Sequence, residues 1–273
     1  AAYSVPRIDI ELAHARDIVD VNVMGTTNLC ELARAAEVKR LVYVSTGSVY
    51  GNKSGSNTPV HEDSDCVPER LYGVTKYAGE LVSRRYGDAN GIDVRIARIV
   101  VGPYGPMERP NPFRRFPSLM YEWTKAALVG LSLQVTDMNY AMDTTFVSDT
   151  ADAIVTILLA GNNPHPIYNV GTIEKHTFGE IVELITELMP GTNWNSIAND
   201  SWDGLPSHPG KTSKSSRCGS DHDLARLYSD LAWKPRYNLR TGLKTYLDWV
   251  SQFQDSQRFD DLAPHPLPET DPR

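Results

Sequence analysis

The fold of this chain is decided by residues 40–51, which read RLVYVSTGSVYG. The first part, Arg40-Leu-Val-Tyr-Val-Ser45, is short, apolar and rich in β-branched side chains. A segment of this kind is typical of a strand in a parallel sheet that helices cover on both faces. Residues 47–68 are rich in Gly, Ser, Asn, Asp and Pro, which indicates that a loop follows the strand.

Helices and strands alternate around this strand. Apolar residues at helical spacing, among them Val21, Leu29 and Leu32, predict a helix from about Ala15 to Ala36. The further predicted helices cover about residues 72–86, 119–129, 149–159, 177–189, 224–231 and 241–253, and the further predicted strands about 92–100, 131–135 and 166–170. This alternation predicts an α/β protein with a doubly wound parallel sheet.

Tyr72 and Lys76 have the most informative spacing in the chain. They stand four residues apart on a predicted helix, so that both side chains point to one face. A phenol has a pKa of about 10 and a nearby ammonium favours its anion, which would let Tyr72 exchange a proton with a carbinol near neutral pH. Thr46, at the end of the strand, could hydrogen-bond the same oxygen. The alternative interpretation is a surface tyrosine beside a solvated lysine.

Composition and charge narrow the class of protein. The 27 Lys and Arg against 34 Asp and Glu give a net charge of −7, and an acidic chain without a basic patch is a poor binder of nucleic acid or of an anionic membrane. No apolar stretch approaches the roughly 20 residues that cross a bilayer. The three cysteines, Cys30, Cys66 and Cys218, form no zinc pattern. We therefore expect free thiols in the reducing cytoplasm and no metal site.

Further landmarks accompany the Tyr72 motif along most of the chain. They are VNVMGT (residues 21–26), VSTGSVYG (44–51), YGVTK (72–76), Arg98 followed by GPMER (105–109), DTTFVSD (143–149), YNVG (168–171) with TFGEI (177–181), and LAWKP (231–235). With them the chain resembles the extended short-chain dehydrogenase/reductase family, in its NAD-dependent epimerase/dehydratase group. The resemblance implies a Rossmann-like sheet that binds NAD or NADP, with NAD favoured, and a small C-terminal α/β lobe that binds the substrate.

The resemblance also implies a division of the chain. Residues 1–115 would form the C-terminal part of the Rossmann-like domain. Residues 116–254 would form a mixed substrate-binding lobe, with strands and helices that return to that domain. Residues 255–273 would be a flexible tail.

The resemblance also implies that the family's opening half is missing from residues 1–273. Ala1-Ala2 resembles the end of an H-x-A-A motif that closes the family's fourth strand, and residues 1–273 contain no G-x-x-G-x-x-G cofactor loop. The first strands of the sheet, roughly 60–80 residues at the size of two βαβ pieces, would therefore be missing. Without them we expect an open sheet edge at Leu41–Ser45 and no productive dinucleotide binding.

By the same resemblance, Thr46, Tyr72 and Lys76 form a catalytic triad. Tyr72 would be the general acid and base, and Lys76 would lower its pKa and hold the hydroxyls of the nicotinamide ribose. The residues implied at the cofactor are Ala1, Ala2, Asn22, Val44, Tyr72, Lys76 and Ile99. The residues implied at the substrate are Gly47, Ser48 and Arg217.

Several of these positions have a plainer interpretation. Asn22, inside a helix, could bond only to neighbouring backbone. Val44 and Ile99 would look the same as ordinary core residues. Arg217 is as well explained as a solvated loop arginine.

At three places the residues of this chain differ from those of the family's nucleotide-sugar enzymes. Gly47-Ser48 stands where the dehydratases carry the Asp-Glu pair that eliminates water, which argues against 4,6-dehydratase chemistry. Met142 stands where epimerases carry an arginine that grips the diphosphate, and a thioether cannot replace a fork of N–H donors. Val101-Gly102-Pro103 stands where their NVYGP loop carries an asparagine.

Three functions stay open. The first is an NAD(P)-dependent epimerase that acts on a hydroxyl or keto group of a sugar or nucleotide-sugar by hydride transfer. The second, favoured by Met142, is a dehydrogenase or reductase on a non-nucleotide substrate. The third is a catalytically dead remnant. The expected partner is a small-molecule substrate, and the resemblance implies a homodimer through a four-helix bundle of the helices near 15–36 and 72–86.

Overall fold

The computed structural model describes residues 2–4, 8–51, 58–106, 118–161, 163–196 and 221–252. Within these ranges the helices are α1 (Ile8–Ala13), α2 (Ala15–Val19), α3 (Gly25–Ala35), α4 (Leu71–Asn90), α5 (Leu119–Leu128), α6 (Val147–Leu159), α7 (Phe178–Leu188), α8 (Ala225–Asp230) and α9 (Leu239–Ser251). The strands are β1 (Arg40–Thr46), β2 (Asp93–Ile99), β3 (Gly102–Tyr104), β4 (Leu133–Val135), β5 (Ala141–Phe146), β6 (Ile167–Val170), β7 (Lys175–Thr177) and β8 (Trp194–Ser196).

Two shorter helical turns join these elements. A π-helical turn at Asp20–Met24 lies between α2 and α3, so that the helix predicted over 15–36 is present but interrupted. A 3-10 turn at Gly47–Tyr50 follows β1 directly. Both turns lie next to predicted site residues, since the first contains Asn22 and the second follows Thr46.

The central sheet has the strand order β1-β2-β6, and its neighbouring strands are parallel. In its register Tyr43 lies opposite Ile96, and Ser45 lies opposite Arg98. Parallel neighbours need a crossover connection, which α4 supplies between β1 and β2. A second three-stranded sheet has the order β3-β5-β7, and β4 pairs with β8.

Helices cover both faces of the central sheet. Successive side chains of a strand point to opposite faces, so neighbouring residues of β1 pack against different helices. On one face, Val42 and Ala97 pack in an apolar cluster that includes Ala153 of α6. On the other face, Tyr43 lies so close to Gly79 of α4 that a β-carbon on the glycine would overlap the tyrosine hydroxyl. The predicted parallel α/β architecture is therefore confirmed.

The first turn of α4 packs directly on the 3-10 turn that follows β1. A β-carbon at Gly73 would lie 2.6 Å from the carbonyl oxygen of Ser48, so this close approach requires glycine. The Thr46 side chain accepts a hydrogen bond from the Ser48 N–H at 3.3 Å and so caps the 3-10 turn. These contacts fix the carboxyl end of β1 against the turn of α4 that carries Tyr72.

The chain divides into two compact units. The first unit comprises Ala1–Pro103, Tyr140–His176 and Lys214–Asn238. The second unit comprises Tyr104–Asn139, Thr177–Ser213 and Leu239–Arg273. The domain boundary predicted at residue 115 stays a prediction, and the tail predicted at 255–273 lies outside the described residues.

The second unit has an aromatic core of its own. The rings of Trp123 and Phe178 meet edge to face with their centroids 5.1 Å apart, and the Trp123 indole donates to the Gln134 carbonyl at 3.0 Å. Helix α7 begins with a capping box, in which Thr177 and Glu180 each bond to the other's backbone N–H. The helices in the described part of this unit are α5, α7 and α9.

Two kinds of feature are absent from the described ranges. They contain no helix long and apolar enough to cross a lipid bilayer, and no group of three or more His, Cys, Asp or Glu side chains that could hold a metal ion. Cys30 is buried, Cys66 is half-buried, and both are free thiols. Cys218 lies outside the described residues.

Candidate active site

A pocket of about 710 Å³ opens in the first unit at the carboxyl ends of β1 and β2. Its wall brings together most of the residues predicted for the site: Ala2, Val44, Thr46, Gly47, Ser48, Tyr72, Lys76 and Ile99. These residues come from the start of the chain, two strands, a 3-10 turn and a helix. The place is the one where open parallel sheets bind their ligands.

Tyr72 is placed in the pocket by the first turn of α4. Its backbone N–H donates to a carboxylate oxygen of the buried Glu11 at 3.3 Å. The other oxygen of Glu11 accepts from the Arg70 guanidinium at 3.2 Å. A carboxylate at this end of a helix satisfies an N–H group that has no partner within the helix and complements the helix dipole.

Lys76 follows one turn later and is almost completely buried. Its ammonium lies over the Tyr43 ring, 4.3 Å from the ring centroid. Burial lowers the pKa of Lys76 to about 8, although the charge of Glu80 acts in the opposite direction. Among the described residues Nζ has no hydrogen-bond acceptor, so its three N–H donors are available to a ligand in the pocket.

Thr46 ends β1, and its hydroxyl also donates to the Ser48 hydroxyl at 3.3 Å. The two hydroxyls therefore form one polar edge of the pocket. Between them, Gly47 packs tightly on the next strand's end, because a β-carbon there would lie 3.1 Å from Val100 Cα. Residue 47 consequently has little room for a larger side chain.

Asn22 supports the pocket from the π-helical turn. Its amide nitrogen donates to the Thr75 hydroxyl at 2.9 Å and to the Tyr3 carbonyl at 3.0 Å, and its oxygen accepts from the Tyr3 N–H at 2.7 Å. Asn22 is thus bonded to distant residues rather than to neighbouring backbone alone. Through Tyr3 it holds Ala2, which contributes to the pocket wall.

A buried ion pair lies beneath the pocket, and the sequence did not identify it. Arg98 of β2 grips Glu80 of α4 with two hydrogen bonds of 2.7 and 3.0 Å, and both side chains are at most 3% exposed. Ser45 donates to the same carboxylate at 2.5 Å. Arg98 also donates to the Tyr50 hydroxyl at 3.0 Å. The one local signal is that Glu80 stands four residues after Lys76.

His222 lines the pocket, and the sequence did not indicate it. Burial lowers the pKa of its imidazole to about 4, so the ring is neutral at physiological pH. Its Nδ1 is buried and has no hydrogen-bond partner within the described ranges. His222 reaches the pocket because its backbone forms a bridge with Val60, and such a long-range contact leaves no trace in local spacing.

Some predicted positions are outside the pocket wall or outside the described residues. Ala1 and Arg217 lie outside the described residues. Met142 is half-buried on β5. Burial raises the pKa of the neighbouring Asp143 carboxyl, while Lys175 acts to lower it.

Comparison with known proteins shows which family and which proteins this chain is similar to. Residues 1–171 match the NAD dependent epimerase/dehydratase family. A dTDP-D-glucose 4,6-dehydratase of Homo sapiens is 27% identical over 270 residues, which cover 96% of this chain and 70% of that protein. A UDP-glucuronate 4-epimerase of Thermodesulfobacterium geofontis is 28% identical over 237 residues, covering 86% of this chain and 66% of that protein.

A solved structure shows the same fold. The UDP-glucuronic acid 4-epimerase from Bacillus cereus, in complex with UDP-glucuronic acid and NAD, superposes with a TM-score of 0.69 at 25% sequence identity. The match covers 86% of this chain and 69% of the epimerase chain. The Rossmann-like character predicted for the sheet is therefore confirmed.

Proposed function

This chain belongs to the NAD dependent epimerase/dehydratase family, and we propose that it acts on a hydroxyl or keto group of a sugar-type substrate by hydride transfer, with epimerisation as the net reaction. The observation that carries the proposal is the pocket wall on which Thr46, Tyr72 and Lys76 meet. The relatives named as nucleotide-sugar enzymes make a sugar or nucleotide-sugar the first substrate class to test.

The chain's own residues fit the nicotinamide end of NAD or NADP. Lys76 presents a buried ammonium with unused N–H donors, which suits the hydroxyls of a ribose. Val44 and Ile99 supply an apolar wall in the same pocket. When bound, the cofactor would supply the acceptor and donor of the hydride, and the protein would supply orientation and proton transfer. NAD is the favoured cofactor, since the Bacillus cereus epimerase is in complex with it.

The roles of the three central side chains follow from their chemistry. Tyr72 would take the proton of the substrate hydroxyl and return it to the carbonyl oxygen. The Lys76 ammonium would stabilise the phenolate of Tyr72, and Thr46 would hydrogen-bond the substrate oxygen. Because the pKa of Lys76 is about 8, its charge is present below that pH and is lost as the pH rises through it.

Elimination of water is the reaction that this pocket suits least. It needs a carboxyl acid and base beside the substrate, and by the family resemblance Gly47 and Ser48 stand in their places. A β-carbon at residue 47 would already be 3.1 Å from Val100 Cα. This observation supports epimerisation or simple oxidation and reduction, even though relatives include dehydratases.

The proposal is tested by incubating the full-length natural protein with NAD and a panel of UDP-, dTDP- and GDP-hexoses. We expect proton NMR to show a new epimer without net reduction of the cofactor. Net change of NADH absorbance with a non-nucleotide alcohol or ketone would instead favour a dehydrogenase or reductase. A folded protein that changes none of the substrates would contradict the proposal and favour a catalytically dead remnant.

Met142 favours the reductase, because by the family resemblance it stands where epimerases carry an arginine for the diphosphate, and a thioether supplies no charge. We expect weak binding of UDP by the natural chain. Met142→Arg should tighten it by about ten- to hundredfold, which corresponds to one charge-assisted hydrogen bond. Calorimetric titration of UDP measures the affinity of the natural chain and that of the variant.

The matched control is Met24→Arg, which adds the same charge on the exposed π-helical turn and should leave UDP binding unchanged. Tight UDP binding by the unmodified chain would contradict this expectation and would favour a nucleotide-sugar substrate over a non-nucleotide one.

A further inference from the structure

We propose that Glu80, held by Arg98 and Ser45, is a positioning residue that keeps the buried Lys76 ammonium charged. The inference rests on the function proposed above for Lys76. It concerns a carboxylate that lines no part of the pocket, and its effect is exerted through Lys76.

The geometry places Glu80 and Lys76 on one face of α4. They are four residues apart, so their side chains lie one turn from each other. Both are directed to the same face of β1, since Lys76 lies over Tyr43 and Glu80 accepts from Ser45, two residues further along the strand. Both are buried. A charge pair so arranged interacts more strongly than one in water.

Other titratable groups around the pocket do not supply this charge. Burial raises the pKa of Tyr43 to about 12 and raises that of the Cys30 thiol, so both are neutral at physiological pH. The imidazole of His222 is neutral as well. In the described part of the chain, Glu80 is the one charged group found to raise the pKa of Lys76. Tyr72, on the same helix, is the group whose phenolate the Lys76 ammonium would stabilise.

Arg98 and Ser45 explain why Glu80 can remain a carboxylate in the core. Arg98 binds both of its oxygens from β2 and Ser45 binds one from β1. Arg98 also faces the Tyr50 ring. A buried ion pair contributes little net stability compared with apolar residues of similar volume. Stability alone therefore does not explain why this ion pair is present. The need to keep the nearby Lys76 charged does explain it.

The test is the pH dependence of turnover in the full chain. We expect Glu80→Gln to move the alkaline limb of the profile to lower pH by about one unit or more, the size of effect that a close opposite charge has on a pKa. The exposed Asp88 of the same helix provides the control, and Asp88→Asn should leave the limb in place.

A second variant separates charge from folding. Glu80→Gln alone leaves Arg98 without its anionic partner. The second variant therefore combines Glu80→Gln with Arg98→Met, so that neutral groups of similar size replace both charges. This double variant should fold and should still show the shifted limb. A folded double variant with the limb of the natural protein would overturn the inference.

A readout independent of activity is the pKa of Lys76 itself, followed by NMR of the labelled lysine side chain. It should fall in Glu80→Gln and in the double variant. A pKa that does not move overturns the inference whatever the activity is. A pKa that falls while turnover is insensitive to Tyr72→Phe supports the inference and rejects the proposed function instead.

Discussion

Replacing Tyr72 by phenylalanine is expected to lower the turnover number by about 10²–10⁴-fold, the range that a positioned acid or base contributes. The substitution removes one hydroxyl and no carbon, so α4 and its contacts with Ser48 and Glu11 should be unchanged. We therefore expect the variant to fold and to keep a cooperative melting transition. Steady-state kinetics on the epimerisation substrate, with thermal unfolding in parallel, measure both quantities.

Tyr77→Phe is the matched control for this variant. Tyr77 stands on the same helix, but it packs beside a cluster of Val49, Tyr50 and Val60 and not in the pocket wall. Its loss of a hydroxyl should leave turnover within a fewfold of the natural value. If Tyr72→Phe retained most of its activity, the assignment of the acid and base would be wrong.

The largest effect on stability is expected from Arg98→Met. It leaves the Glu80 carboxylate buried without its cationic partner, and breaking a buried pair in this way costs about 3–5 kcal/mol. Urea unfolding at neutral pH measures the loss in the free energy of unfolding. Adding Glu80→Gln should restore much of the loss, because no unpaired charge then remains.

Arg240→Met supplies the comparison for an exposed pair. Arg240 grips Glu187 with two hydrogen bonds of 2.7 and 2.6 Å, much as Arg98 grips Glu80, but both side chains of this pair are more than half exposed. Water can replace this contact, so we expect little change in stability. Equal losses in Arg98→Met and Arg240→Met would show that burial of the first pair is not what makes it costly to break.

The sheet and the centre of the site were predictable because their signals are local. The run of β-branched residues around Val42 marks a buried strand, and the spacing of Tyr72 and Lys76 fixes a shared helix face whatever surrounds it. His222 and the pairing of Arg98 with Glu80 were not predictable in this way. Their contacts join residues far apart in sequence, and only the folded chain brings them together.

The helix near 15–36 shows where periodicity misleads. Val21, Leu29 and Leu32 helped to predict it, yet they are 37, 58 and 63% exposed. The residues buried along this segment are Ile18, Asn22, Thr26, Cys30 and Ala33. Apolar spacing identifies a helix but not which surface covers its apolar side. The homodimer predicted through this helix and α4 stays a prediction.

The π-helical turn at Asp20–Met24 constrains the length of this segment as well as its composition. Its hydrogen bonds span one residue more than those of an α-helix. Loss of a single codon there would rotate α3 relative to α2 by about 100° and would separate Asn22 from Tyr3 and Thr75. We therefore expect an insertion or deletion between Ala15 and Ala35 to be tolerated less well than a substitution at an exposed position of the same helix. For this segment the number of residues matters more than the identity of most of them.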